Sequence, residues 1–143
     1  MEKIADALEL RREDIALMES KDTGKPIRIA RSVDANRSVS NFRFFAKMLL
    51  ERNEENYDMD NATNYVVDRP IGVVGLITPW NLPLYLLSWK IAPAIAMGNT
   101  VVAKPSEITP MTANLLAEIL DEISFPPGAV SYTHLTLPTI LRV

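Results

Sequence analysis

Cysteine is absent from this chain of 143 residues, which excludes disulfides and thiolate metal sites and leaves no thiol nucleophile. A single histidine, His134, cannot build a histidine metal cluster. There are only 5 glycines, and no Gly-x-Gly-x-x-Gly occurs among them, so the standard dinucleotide fingerprint is missing. Charge of one sign is also missing. The formal net charge is -3 with acidic and basic residues interspersed, which leaves no electrostatic footprint for nucleic acid. No apolar run approaches the length of a membrane span, and Met1–Leu10, with Glu2 and Asp6 among its apolar residues, lacks the basic start and continuous apolar stretch of a signal peptide. A cytoplasmic location is expected, with neither a membrane nor a nucleic acid as partner.

What remains is ordinary for a globular domain: 48% hydrophobic and 23% charged residues, about one domain's worth of chain. Ile4, Leu8, Ile15 and Leu17 or Met18 recur among charged residues over Met1–Ser20, which predicts one amphipathic helix. Asp22-Thr-Gly-Lys-Pro26 breaks it, with Gly24 suited to positive φ and Pro26 to a new helix start. From Ile27 to Leu50 the spacing of Ala30, Val33, Phe42, Phe45, Ala46 and Leu49 is helical. Glu51–Thr63 is polar and acidic and reads as a connecting loop or a short exposed turn. Its carboxylates lack the ligand spacing of a calcium loop, so no metal site is expected.

Tyr65–Val67 reads as a short strand, and Val73–Ile77 as a strand covered on both faces. Ser88–Met97 is a helix closed by Gly98, Thr100–Ala103 a second buried strand, and Pro110–Ile123 a further helix with Thr109 as candidate N-cap. Strand, helix and strand at this separation form a parallel βαβ unit. The fold class is therefore α/β, a partial Rossmann-like parallel sheet with flanking helices.

The residues suited to chemistry gather where these strands end, because open α/β sheets bind ligands at the carboxyl ends of their strands. Asn81 follows the first of them. Its carboxamide either caps the helix beyond Leu82 or offers an N–H to negative charge developing on a carbonyl oxygen. Ile77, Thr78, Pro79 and Trp80 line the same turn, where Trp80 and Pro79 also serve as walls of a core. Lys104, Ser106 and Glu107 lie just past the second strand. They form either a weak surface pair and a turn, or a grip on a ribose.

Two runs, Arg69-Pro-Ile-Gly-Val-Val-Gly-Leu-Ile-Thr-Pro-Trp-Asn-Leu-Pro-Leu84 and Gly98-Asn-Thr-Val-Val-Ala-Lys-Pro-Ser-Glu107, resemble the cofactor-binding core of the NAD(P)-dependent aldehyde dehydrogenases. The resemblance covers Met1 to about Ala129. It implies that Asn81 is the side-chain half of an oxyanion hole and that Ile77–Trp80 run along the cofactor. By the same resemblance Lys104, Ser106 and Glu107 lie at its adenosine ribose. A carboxylate beside the 2′-hydroxyl accepts its hydrogen bond and repels a 2′-phosphate, so Glu107 favours NAD over NADP. The helix segment Ser38–Ala46 and the run Trp80–Trp89 look most like the branch acting on muconic semialdehydes, with betaine and generic aliphatic aldehyde enzymes next.

The family's nucleophile is a cysteine, and this chain has none, nor does it contain the family's glycine-rich phosphate turn or general-base glutamate. It is expected to be part of an enzyme that oxidises an aldehyde to a carboxylic acid, and to have no turnover alone. The intact parent is expected to be a homo-oligomer acting on a small-molecule aldehyde. The alternative is a non-catalytic nucleotide-binding or partner-binding αβ module. Residues 1–129 are assigned to the NAD-binding domain. The tail, 130–143, departs from the family's pattern: Val130-Ser-Tyr-Thr-His-Leu135 followed by Thr-Leu-Pro-Thr reads either as a translated sequencing adapter, which would make it non-native and His134 without a role, or as a divergent strand and loop.

Overall fold

A computed structural model describes residues 1–53 and 55–133. The chain opens with two helices, α1 (Glu2–Leu10) and α2 (Arg12–Thr23), where the periodicity predicts one. The break lies at Arg11, whose guanidinium reaches Asp14 at 2.6 Å and Glu122 at 2.8 Å. On either side of it, Ile4 and Leu8 and then Ile15 and Ala16 are buried, while Leu17 is exposed and Met18 packs on the core. Gly24 ends α2 at φ 73°, a conformation without penalty only where Cβ is missing.

After Pro26 the chain is helical to Leu50 but not uniformly so. A turn, α3 (Ile27–Ile29), leads into a π-helical segment, Ala30–Ala35, and then α4 (Asn36–Leu50). The wider turn shifts the phase of the apolar stripe. Ala30, Phe42 and Ala46 face inward as expected, but Val33 and Leu49 are exposed, and Asp34 is carried into the interior.

The expected exposed turn lies at Asp60 and Asn61, but two strands not expected flank it: β1 (Asn56–Met59) pairs antiparallel with β2 (Ala62–Tyr65). Every residue of both strands is exposed, so there was no buried face to leave an alternating pattern in the sequence. Val66 and Val67 lie beyond the end of β2 and not in a strand.

The remaining elements are β3 (Val73–Ile77), α5 (Pro83–Ala96), β4 (Thr100–Lys104), α6 (Met111–Glu122) and β5 (Val130–Tyr132). The three strands form one parallel sheet in the order β3-β4-β5, with Val73 opposite Thr100 and Ile77 opposite Lys104. This is the expected α/β architecture. Helix α5 starts five residues before the predicted Ser88, because Pro83 at its first turn needs no amide partner there, and it runs through Pro93. Gly98 closes it at φ 77°, and a Cβ on Gly98 would stand 3.0 Å from Pro70 Cγ.

The predicted two-sided burial of β3 does not hold. Among the described residues only β4 flanks it, and its residues alternate, with Val74 and Leu76 packed on the core and Val73 and Ile77 exposed at 71% and 62%. In β4 likewise Val101 and Ala103 are buried and Val102 is exposed. The helices cover one face of the sheet, where Phe42, Leu84, Leu87, Ile91, Leu115 and Ile119 meet Val101 and Ala103 in one core.

Val130–Tyr132, assigned to the tail by sequence, pair with Val101–Ala103. Residues 134–143, including His134, lie outside the described residues. Among the described residues, no helix is long and apolar enough to cross a membrane.

Candidate functional site

Strand β3 delivers the chain at Ile77 to a turn that ends at the first residue of α5. Because Ile77 is in register with Lys104, the turn and the Lys104–Glu107 segment emerge side by side at the carboxyl edge of the sheet. One backbone bond joins them, the Thr78 N–H donating to the Lys104 carbonyl at 3.2 Å. The structure thus brings the two sets of sequence-predicted residues together.

Within the turn, Thr78 is buried and Pro79, Trp80 and Asn81 are exposed, Trp80 at 57%. The capping alternative for Asn81 does not apply. Leu82 occupies the N-cap position of α5, no side chain of the turn bonds the helix end, and the Asn81 carboxamide has no hydrogen bond among the described residues. The helix end is capped from elsewhere: Glu19 Oε1, on α2, accepts the Leu84 N–H at 2.9 Å and the Thr112 hydroxyl of α6 at 3.0 Å. Asn81 therefore stands free to donate to a ligand.

On the neighbouring segment, Lys104 Nζ lies 3.1 Å from Glu107 Oε2 and donates to the Pro105 carbonyl at 3.2 Å. The Glu107 carboxyl is held below the usual range by its own backbone N–H and then by Lys104, so it is a carboxylate at neutral pH. Glu107 is exposed, and Ser106 is half-buried in a turn closed by the Thr109 N–H on its carbonyl. An exposed carboxylate beside a cation at a sheet's carboxyl edge suits a diol of a ribose. The exposed Ile77 and Trp80 provide an adjoining apolar surface, so these residues fit a dinucleotide. Among the described residues there is no group of three or more His, Cys, Asp or Glu that could hold a metal ion.

Sequence reasoning treated Asp22–Pro26 as a turn only and passed over Glu19 and Asp34. In the fold, Lys25 Nζ lies 2.8 Å from Asp34 Oδ1 and 3.9 Å from Glu19 Oε2, and it donates to the Asn81 carbonyl at 3.3 Å. Burial pushes the Glu19 carboxyl up to about 6, against the opposing effect of the Leu84 N–H. The signal was present, since Glu19 sits four residues after Ile15 on the apolar stripe of α2, where an acidic residue is out of place unless partnered. Lys90 was missed as well; its ammonium donates to the Ile77 carbonyl at 2.5 Å and ties α5 to the end of β3.

A model of the aldehyde dehydrogenase family matches residues 1–139. Among curated proteins, the chain is 53% identical to the 2-aminomuconic semialdehyde dehydrogenase of Danio rerio, over 96% of this chain and 29% of that protein. It is 51% identical to the protein of the same name from Homo sapiens, over 98% of this chain and 29% of the relative. Among solved structures, the NAD+ complex of an aldehyde dehydrogenase from Bacillus cereus superposes with a TM-score of 0.88 at 38% identity, covering 92% of this chain and 27% of that one. The chain thus spans under a third of the length of the relatives it matches, and within that span it belongs to the aldehyde dehydrogenase family.

Proposed function

We propose that this chain supplies the adenosine-ribose edge and the oxyanion donor of an NAD-dependent aldehyde dehydrogenase that oxidises an aldehyde to a carboxylic acid. The observation that carries the reading is the pairing of Ile77 with Lys104, which aligns the Asn81 turn with Glu107 at one edge of the sheet. Lys104 and Glu107 would hold the ribose, Ser106 would lie beside them, and Ile77, Thr78, Pro79 and Trp80 would flank the dinucleotide. Bound NAD supplies the hydride acceptor. The chain's own contribution to catalysis is electrostatic: a carboxamide N–H aimed at the oxygen on which charge develops when a carbonyl is attacked. The attacking thiolate has no source in a cysteine-free chain, so this polypeptide alone turns nothing over.

The substrate reading is a semialdehyde of a muconic acid, supported by the relatives' names and by one feature of the fold. Such a molecule carries a carboxylate as well as an aldehyde. Arg37 lies with its guanidinium 6.0 Å from the ring of Tyr85, four residues beyond Asn81, and has no carboxylate partner among the described residues. A preference for NAD over NADP rests on the ionised Glu107. The exposed Tyr57, Met59 and Tyr65 of the β1–β2 hairpin support a homo-oligomeric parent, and a cytoplasmic location belongs to the same reading. The assignment of 130–143 to a translated adapter is likewise part of it, with Val130–Tyr132 nonetheless completing the sheet beside β4.

The absence of cysteine favours a second reading, a non-catalytic nucleotide-binding or partner-binding module. Mapping amide shifts on addition of NAD tests both at once. Shifts at Ile77–Trp80 and Lys104–Glu107, weaker with NADP, are expected. No shift there with either nucleotide would remove the cofactor-edge proposal and the nucleotide-binding alternative, leaving partner binding.

A further inference from the structure

Glu19, Lys25 and Asp34 are not among the residues proposed to hold a cofactor or an aldehyde, yet they are charged groups packed into the interior, which is unfavourable unless they are paired. Both carboxylates are fully buried and the Lys25 side chain is 15% exposed. Apolar residues of similar volume would join α2, the π-helical segment, α5 and α6 at least as stably, because desolvating ions opposes folding strongly. An apolar cluster could not, however, donate to a main-chain carbonyl of the turn.

Among the described residues the exposed Asn81 carboxamide has no hydrogen bond, so its direction is inherited from its backbone. That backbone is gripped at three points. Thr78 is fixed by its N–H to Lys104, Asn81 by its carbonyl to Lys25, and Leu84 by its N–H to Glu19. Two carboxylates against one ammonium leave one negative charge. It faces the N-terminus of α5, the end at which the helix dipole favours an anion. Glu19 thus anchors the helix while Asp34 aims Lys25 at the turn.

We propose that Lys25, clamped between Asp34 and Glu19, is a positioning residue that fixes the direction in which Asn81 presents its carboxamide. The inference rests on Asn81 being the oxyanion donor, but its test reads the geometry of Asn81 and not turnover, so either idea can fail without the other.

The experiment is solution NMR on the full 143-residue chain. In the unmutated chain, a scalar coupling across the hydrogen bond between Lys25 ¹⁵Nζ and Asn81 ¹³C′ is expected, together with a single Asn81 χ1 rotamer from three-bond couplings. In Lys25→Met, χ1 should average over rotamers while the methyl signals of Leu87 and Ile91 stay in place; Lys25→Arg, which keeps a donor, should restore one rotamer. A single unchanged rotamer in folded Lys25→Met would overturn the proposal. Should Lys25→Met not fold, the unmutated chain decides: no trans-hydrogen-bond coupling, or an Asn81 already averaging over rotamers, overturns it just as well.

Discussion

Asn81 and Glu19 illustrate how differently two polar residues beside one helix end can be employed. Asn81 is exposed and its side chain bonds nothing among the described residues, whereas Glu19 is buried and caps α5. Asn81→Ala is therefore expected to change unfolding free energy by less than about 0.5 kcal/mol, where loss of a true cap costs about 1 kcal/mol. Denaturant titration separates the two. A cost near 1 kcal/mol would return Asn81 to a structural role. The motif around Asn81 was legible because it is contiguous in sequence. Glu19, Lys25 and Asp34 were not, because what makes them a group is the packing of α2 against a π-helical segment whose phase shift no regular periodicity announces.

Glu19 also gives the chain a pH dependence with a definite sign. Burial raises its folded-state pKa from 4.5 to about 6, so the folded state holds its proton more tightly than the unfolded one. The stability from this group is fully present below about pH 4.5 and is lost as pH rises through about 6. At about 1.4 kcal/mol per unit, the loss is about 2 kcal/mol. The groups facing it are Asp34, which reinforces the shift, and the Leu84 N–H, Thr112 and Lys25, which oppose it. Urea midpoints measured from pH 4 to 7 should fall across this window, and the fall should be absent in Glu19→Gln. An equal fall in both chains would assign the dependence to other carboxyls.

At the level of elements, the sequence announced the parallel unit, since β3, β4 and the helix between them are apolar runs bounded by glycine and proline. It misjudged burial because apolar content reports what a strand is suited to and not what covers it: Val73 and Ile77 lie uncovered at one edge of the sheet. Val73→Thr should consequently cost less than about 0.5 kcal/mol. Leu87→Ala, on the buried face of α5, should cost about 2–5 kcal/mol. Comparable costs at the two positions would mean that the sheet edge is covered in solution. The end of α5 admits a sharper test. Gly98→Ala places a Cβ in the left-handed region, worth about 1–2 kcal/mol, and also brings it against Pro70. A thermal unfolding shift of several degrees is expected, and no shift would mean that the 98–99 turn relaxes freely.

For the molecule as a whole, fold and chemistry divide unevenly. The helices and the single-faced sheet build one contiguous core, while the residues suited to catalysis and binding sit on the exposed edge above it. That edge was readable in the sequence as two motifs, but their adjacency required the Ile77–Lys104 register. The hairpin, exposed throughout, contributes nothing to the core and left no trace in the pattern of apolar residues.

Calorimetric titration of NAD into the full chain, alongside Glu107→Gln, addresses the cofactor edge most directly. Saturable binding of one NAD per chain is expected, weakened about tenfold or more in Glu107→Gln, with NADP binding more weakly than NAD to the unmutated chain. No heat with either nucleotide, or equal binding by both chains, would contradict the assignment of Lys104 and Glu107 to a ribose.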